Sequence, residues 1–367
     1  MTTPGAADLA GIVVEASELL GEPLADPELL RSGPRATVIR ASRCTGTVVV
    51  KRFRSSRPWV SGGFGFAREW AGLQCIPFAP ELYAAAPGLI VMEDVGRGPT
   101  LADLLLGDDP DAAREGLLAW ATALGTSLEA ARGRVDRFRD LIRQVDPQTR
   151  TAGGPPSPGL PRRALDRISQ HVPLDPRATA EVVALALPEP PEDDDPFTAS
   201  KITVGAGDFC PDNVIMADAG PRIIDLEASS VIHVAAAGID VVQPFSTCWC
   251  LASLPTELAW ETQHTFDRAL DPVTFRTPLS TIHLQRAGAA AALTMTEVSL
   301  PGLLRARPDD GAPPGMTAPS ASRTRMAYRW RWVVERCPDL PGLQQTCGRL
   351  LEHFGWDSEL PPYPAFN

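Results

Sequence analysis

The chain has 367 residues, enough to bury a substantial core and to form two lobes around one cleft. Its formal net charge of −11, with no long basic run, argues against a nucleic-acid partner, and the acidic field serves solubility or a cationic substrate. No run reaches the roughly 18 consecutive apolar residues of a membrane span, and Met1–Gly5 lacks both a basic residue and a signal-like apolar core, so no membrane is expected. Seven cysteines, an odd number, suit a reducing compartment and a cytoplasmic protein, and the five histidines form no evident triad or metal set.

In chain order, the first informative segment is 32–40, SGPRATVIR, a turn between two strands. It has one glycine, and Pro34 offers no N–H to an anion, so Ser32 and Arg35 stand in as candidate contacts. The run 47–53, TVVVKRF, is rich in β-branched residues and reads as a strand with Lys51 near its end. Residues 66–73, FAREWAGL, read as a helix carrying Glu69, with Arg68 beside it. Taken alone, a Lys51/Glu69 pair at this separation is more often two solvated surface charges than a buried clamp. The stretch 89–92, LIVM, is a buried strand running into Glu93-Asp94-Val95-Gly96, and Thr100 caps a helix whose leucines share a face.

From 146 to 197 the order falls away. A Pro/Gly-rich loop at 151–159 precedes helical patches near 163–171 and 177–187, and an acidic, proline-rich run at 188–196 reads as a solvated linker. Cys248-Trp249-Cys250 lies in an apolar, helix-like stretch, where the cysteines read as small buried residues. A Pro/Gly-rich loop at 307–320 and helices over 326–336 and 342–354 complete the chain.

The segment that carries chemistry is 206–227, AGDFCPDNVIMADAGPRIIDLE. It reads as a loop, then two short strands (214–216 and 222–224) about a turn at 217–221, then an acid. That layout brings Asp208, Asn213 and Asp225 to one cleft. Asp208 is placed to accept the hydrogen bond, and later the proton, of an attacking hydroxyl. Asn213 and Asp225 offer hard oxygen donors suited to Mg2+, and Pro211 narrows where Asn213 points. The chemistry that needs this set is phosphoryl transfer from a magnesium nucleotide to a hydroxyl. An ordinary loop with an Asx-turn at Asp208 and a surface acid on the hairpin has the same spacing.

These motifs resemble the kinase-like aminoglycoside phosphotransferase family, whose loop commonly reads HGDxxxxN followed by IDFE or IDWE, and the HRDxxxxN loop of protein kinases. This chain has AGDFCPDN and IDLE. The family histidine, a support for the loop, is replaced by Ala206, which bears on loop rigidity rather than on the reaction. Cys210 stands where protein kinases often carry lysine, which leans toward the small-molecule branch. The resemblance implies that Lys51 holds the ATP phosphates, that Glu69 pairs with it, and that the backbone at Glu93 and Val95 meets adenine. It implies that Asp240, in GIDVV, ties down the catalytic-loop backbone. The implied fold is α+β and bilobal, protein-kinase-like, with a small mixed sheet lobe and a larger mostly helical lobe. The expected division is 1–95 for the nucleotide lobe and 96–367 for the catalytic and acceptor lobe, with 146–200 as a Pro-rich insertion. The implied activity is transfer of the γ-phosphoryl of ATP, with Mg2+, to a small-molecule hydroxyl. A kinase of Ser/Thr in a natural-product precursor peptide, or a non-catalytic nucleotide-binding scaffold, are the alternatives.

Overall fold

Runs of β-branched residues separated by short turns build the small lobe. The computed structural model describes residues 6–54, 65–147, 159–185, 202–270, 281–307 and 319–367. An N-terminal helix, α1 (Ala6–Leu20), leads into strands β1 (Ala25–Ser32), β2 (Ala36–Arg43) and β3 (Gly46–Phe53). Helix α2 (Phe66–Cys75) then crosses to β4 (Leu82–Ala86) and β5 (Leu89–Glu93). The strand order is β1-β2-β3-β5-β4, and every neighbouring pair is antiparallel. The sheet is therefore not mixed as expected. The α2 crossover does return β4 parallel to β3, but β5 inserts between them and pairs antiparallel with both.

Period-two alternation along β3 sorts its side chains. Val48 and Val50 join Ile12, Val13 and Ala16 of α1 in a cluster on one face. Val49 and Phe53 face the other way, into a cluster with Ala71, Leu73 and Cys75 of α2, and Lys51 shares that side. The lysine is thus aimed between sheet and helix by register alone.

The larger lobe is mostly helical. Thr100 caps α3 (Leu101–Leu106) with a capping box to Asp103, as the sequence suggests. Asp109 caps α4 (Pro110–Ala131), which has proline at its first position. Next come α5 (Val135–Val145), α6 (Leu160–Ile168) and α7 (Ala178–Ala184), the last two matching the helical patches near 163–171 and 177–187. Strands β6 (Ile202–Gly205) and β9 (Ser230–His233) pair, enclosing the hairpin of β7 (Val214–Ala217) and β8 (Gly220–Ile223). Helix α8 (Ala235–Val242) precedes α9 (Thr256–Leu270), α10 (Thr281–Arg305), α11 (Pro319–Arg336) and α12 (Pro341–Phe354). Leu117, Trp120 and Leu124 of α4 pack with Phe245 and Phe266 in one core, and Trp330 centres a second among α6, α7 and α10 to α12. Helix α10 is long and apolar enough over His283–Arg305 to cross a membrane, but 50% of that window is buried inside the protein. Most of the loops at 151–159 and 307–320, and the acidic run at 188–196, lie outside the described residues.

Candidate active site

Lys51 and Glu69 are not surface charges. The lysine Nζ donates to Glu69 Oε2 at 2.8 Å and to Asp225 Oδ1 at 2.6 Å, and lies 3.9 Å from Glu227. Lys51 and Glu69 are 4% and 1% exposed, so removal of the lysine leaves the buried Glu69 carboxylate without its cation, at a cost of about 3–5 kcal/mol. Burial opposes the charge on Lys51, but Glu69, Asp225 and Glu227 together outweigh it and raise its pKa. Burial pushes Glu69 up to about 7 despite the pull of Lys51, because three carboxylates share one ammonium. Two arginines from the β1–β2 turn region add charge: Arg31 reaches Asp225 at 3.4 Å and Arg35 reaches Glu227 at 2.5 Å.

Helix α2 is seated by the segment after Asp225. Arg68 Nη1 donates to Ser229 O at 2.6 Å, and a Cβ on Gly72 would meet Ser229 Oγ at 2.4 Å. The glycine is therefore required by close approach. Glu69 and the acidic hairpin exit are thereby held as one unit.

The hairpin delivers Asp225 as expected. Ala217 pairs with Gly220, so the turn tightens to Asp218-Ala219, narrower than the predicted 217–221. Ile224 N donates to Asn213 O at 2.9 Å, which ties the exit strand to the loop. Asp225 then adopts φ 59°, ψ 61°, a left-handed conformation that costs a non-glycine residue energy and is retained where the surroundings over-determine it. Here Lys51 and Arg31 do so. Burial alone would raise the Asp225 carboxyl, but Lys51, Arg31 and Arg35 hold it below the ordinary range.

In the loop, Asp208 Oδ1 accepts from Cys210 N at 3.2 Å, and its carboxylate also bonds the Asn213 side chain. Burial raises the Asp208 pKa. Asn213 N donates to Cys210 O at 2.9 Å within a short 3-10 turn begun by Pro211. Gly207 has φ +76°, and a Cβ there would fall 2.1 Å from Ala228 O, so the loop runs directly against the short 3-10 turn that follows Asp225.

These groups line one pocket between the lobes. Its walls include Val38, Val49, Lys51, Glu69, Met92, Asn213 and Asp225, and both Glu93 and Val95 reach it from the lobe junction. The junction is braced. Arg40 of β2 forks onto Asp94 at 2.5 and 2.9 Å, and Thr47 donates to Asp94 at 2.6 Å. Arg222 of β8 forks onto Glu93 at 2.9 and 2.5 Å and donates to the carbonyls of Phe78 and Ala79. Glu93 N itself donates to Glu81 O at 2.8 Å.

Of the seven residues singled out from sequence, Lys51, Glu69, Glu93, Val95, Asn213 and Asp225 line this cleft, whereas Asp208 is not in its wall and is joined to it through its bond to Asn213. Arg31, Arg222 and Glu227 were missed. Glu227 lies within the IDLE run and Arg222 within the hairpin, but the partners that give them meaning are remote in sequence. Two expectations fail. Asp240 accepts hydrogen bonds from Ser246 N at 2.7 Å and Ser246 Oγ at 3.0 Å, not from the catalytic loop, because the chain turns back after α8 and brings Ser246 over it. Cys248-Trp249-Cys250 is a turn rather than helix, and Cys248 is bonded to Cys210 across 38 residues rather than being a buried thiol.

No protein-family model matches the sequence. No curated protein matches it either. Among solved structures, the chain is similar to a choline/ethanolamine kinase family protein from Mesorhizobium loti, at 16% identity, covering 92% of this chain and 99% of that one with a TM-score of 0.49. It is similar to the macrolide 2'-phosphotransferase MphH from Brachybacterium faecium at 16% identity, over 80% of this chain and 93% of that one, with a TM-score of 0.47. It is likewise similar to the choline kinase LicA from Streptococcus pneumoniae at 15% identity, over 92% and 98%, with a TM-score of 0.47.

Proposed function

We propose that the protein is an ATP-dependent phosphotransferase that moves the γ-phosphoryl group to a hydroxyl of a small molecule. The observation that supports this best is the convergence of Lys51, Glu69, Asn213 and Asp225 on one interlobe pocket, with Asp208 hydrogen-bonded to Asn213. Lys51, oriented by Glu69, binds the α- and β-phosphates, and the backbone at Glu93 and Val95 meets the base. The donor set fits magnesium: an amide oxygen and a depressed carboxylate are hard ligands, and Asp225 is held facing the cleft. Asn213 and Asp225 would hold the ion, which neutralises charge on the transferred phosphoryl group. Asp208 aligns the acceptor hydroxyl and takes its proton, a role suited by the rise in its pKa that burial causes. In this reading the nucleotide lobe is 1–95 and the catalytic and acceptor lobe 96–367, with 146–200 as its insertion.

The test is transfer from γ-labelled ATP across a panel of amino sugars, other hydroxyl compounds and Ser/Thr peptides. Asp208→Asn is expected to reduce transfer by about 10²–10⁴-fold while ATP binding stays nearly intact. Equal transfer by both proteins would remove Asp208 from its role, and Mg-ATP binding with no turnover on any acceptor would favour a scaffold.

A further inference from the structure

Cys210 is the node of the catalytic loop. Its N–H donates to the Asp208 carboxylate and its carbonyl accepts from Asn213 N, so the two reacting-site groups are positioned through one residue. The usual supports are missing. Ala206 has no polar side chain, and Asp240 is engaged by Ser246. The sulfur of Cys210 is instead bonded to Cys248. Cys248 is in turn fixed on its own segment. Its N–H donates to Phe245 O at 2.8 Å, and the fully buried Arg329 donates to Ser246 O at 2.5 Å and Cys248 O at 3.4 Å. Asp240 is thereby linked to the loop through Ser246, Arg329, Cys248 and the bridge, beside which Trp249 Nε1 donates to Asp212 Oδ2 at 3.2 Å.

We propose that the Cys210–Cys248 disulfide is the positioning element of the catalytic loop, taking over the tethering that a histidine and a direct Asp240 contact would provide, so that phosphoryl transfer depends on the thiol–disulfide state of this pair. The inference rests on the phosphotransferase reading above. Opening the bridge is a two-electron reduction by a dithiol. The reductant thiolate attacks the sulfur of Cys210, the half-buried residue of the pair, the S–S bond breaks, and Cys248 leaves as a thiolate that takes a proton. The second reductant thiol then closes a cyclic disulfide and frees Cys210. Cys250 lies 3.1 Å from the Cys248 sulfur, but burial, with Asp212 nearby, pushes its thiol up to about 12. A thiol held protonated in this way is a poor nucleophile toward the bridge.

The test uses the full chain, oxidised with glutathione disulfide or reduced with dithiothreitol, with the bridge mapped by mass spectrometry of unreduced peptides. Amide hydrogen exchange across 207–216 is expected to quicken on reduction, while β3 and α2 stay unchanged. Turnover of Mg-ATP, with water or a panel hydroxyl as acceptor, is expected to fall by about 10²-fold, with KM for Mg-ATP within about threefold and recovery on reoxidation. Cys210→Ser should behave as the reduced protein in both conditions, whereas Cys250→Ser should keep the wild-type response. Absence of the bridge in oxidised protein, or exchange across 207–216 indifferent to its reduction, would overturn the proposal, as would equal losses in turnover and Mg-ATP affinity. The exchange result stands apart from activity, so a protein with a tightening loop but no transfer would sink the phosphotransferase reading and leave the tether in place.

Discussion

Asp240 shows what burial does to a single acid once its expected partner is elsewhere. It is 4% exposed, and burial pushes its carboxyl up to about 7, with the Ser246 hydrogen bonds pulling only partly back. Its folded pKa is thus above the unfolded one. Between about pH 4 and pH 7 the folded protein keeps a proton that the unfolded chain has released, so stability falls as pH rises through that window, by up to about 1.4 kcal/mol per pH unit. Asp240→Asn keeps an acceptor for Ser246 and removes the titration. Urea denaturation at pH 5 and pH 8 should show the variant gaining on wild type by on the order of 2 kcal/mol between the two. Other raised acids, such as Glu69 and Asp267, are present in both proteins and cancel in the difference. Parallel pH profiles would mean that Asp240 ionises normally.

At the scale of the element, the β7–β8 hairpin does two jobs. It sends Asp225 into the cleft, and through Arg222 it clamps the lobe junction, where a planar fork satisfies Glu93 and two backbone carbonyls together. Burial would raise Glu93, yet the Arg222 hydrogen bonds hold it below the ordinary carboxylate range. Arg222→Ala removes the fork from the half-buried Glu93 carboxylate, which keeps Glu81 N, and takes a donor from Ala79 O and from Phe78 O, which keeps Ile223 N. It should cost about 2–3 kcal/mol by urea denaturation and weaken Mg-ATP binding measured by calorimetry. Arg222→Lys should recover little, since an ammonium cannot fill the fork. An Mg-ATP affinity untouched by Arg222→Ala would separate the clamp from the nucleotide site. The contrast with Lys51, Asp208 and Asn213 explains what was legible in the sequence. Those residues sit in local patterns (a β-branched strand, an Asx-rich loop, a hairpin) whose spacing itself encodes their direction. The Arg222–Glu93 fork spans 129 residues and the Cys210–Cys248 bridge 38. Neither has a local signature, and seven cysteines alone do not reveal which two meet. Asp240 was misplaced for a related reason: its helix was readable, but the return of the chain at Ser246 was not.

Across the whole molecule, the two lobes share a core rather than merely touching. Phe138 of α5, fully buried, packs in the same cluster as Ala71, Leu73 and Cys75 of α2, together with Val204, Ala206 and Leu226 of the large lobe. The helix that carries Glu69 is therefore seated on the large lobe, and the distance from Lys51 to Asp225 is set by packing that lies outside the cleft. Phe138→Ala should open a cavity worth about 3–5 kcal/mol, and by loosening the seat of α2 it should also reduce Mg-ATP affinity. Trp330→Ala offers the control. It removes a side chain of similar or greater size, also fully buried, from the separate cluster of α6, α7 and α10 to α12, at a comparable cost in stability. Both variants are to be compared by calorimetric titration with Mg-ATP at a temperature where each remains folded. Loss of affinity confined to Phe138→Ala is the expected result. Equal loss in both would mean that affinity follows global stability, and that α5 does not specifically hold α2 in register with the acids of the cleft.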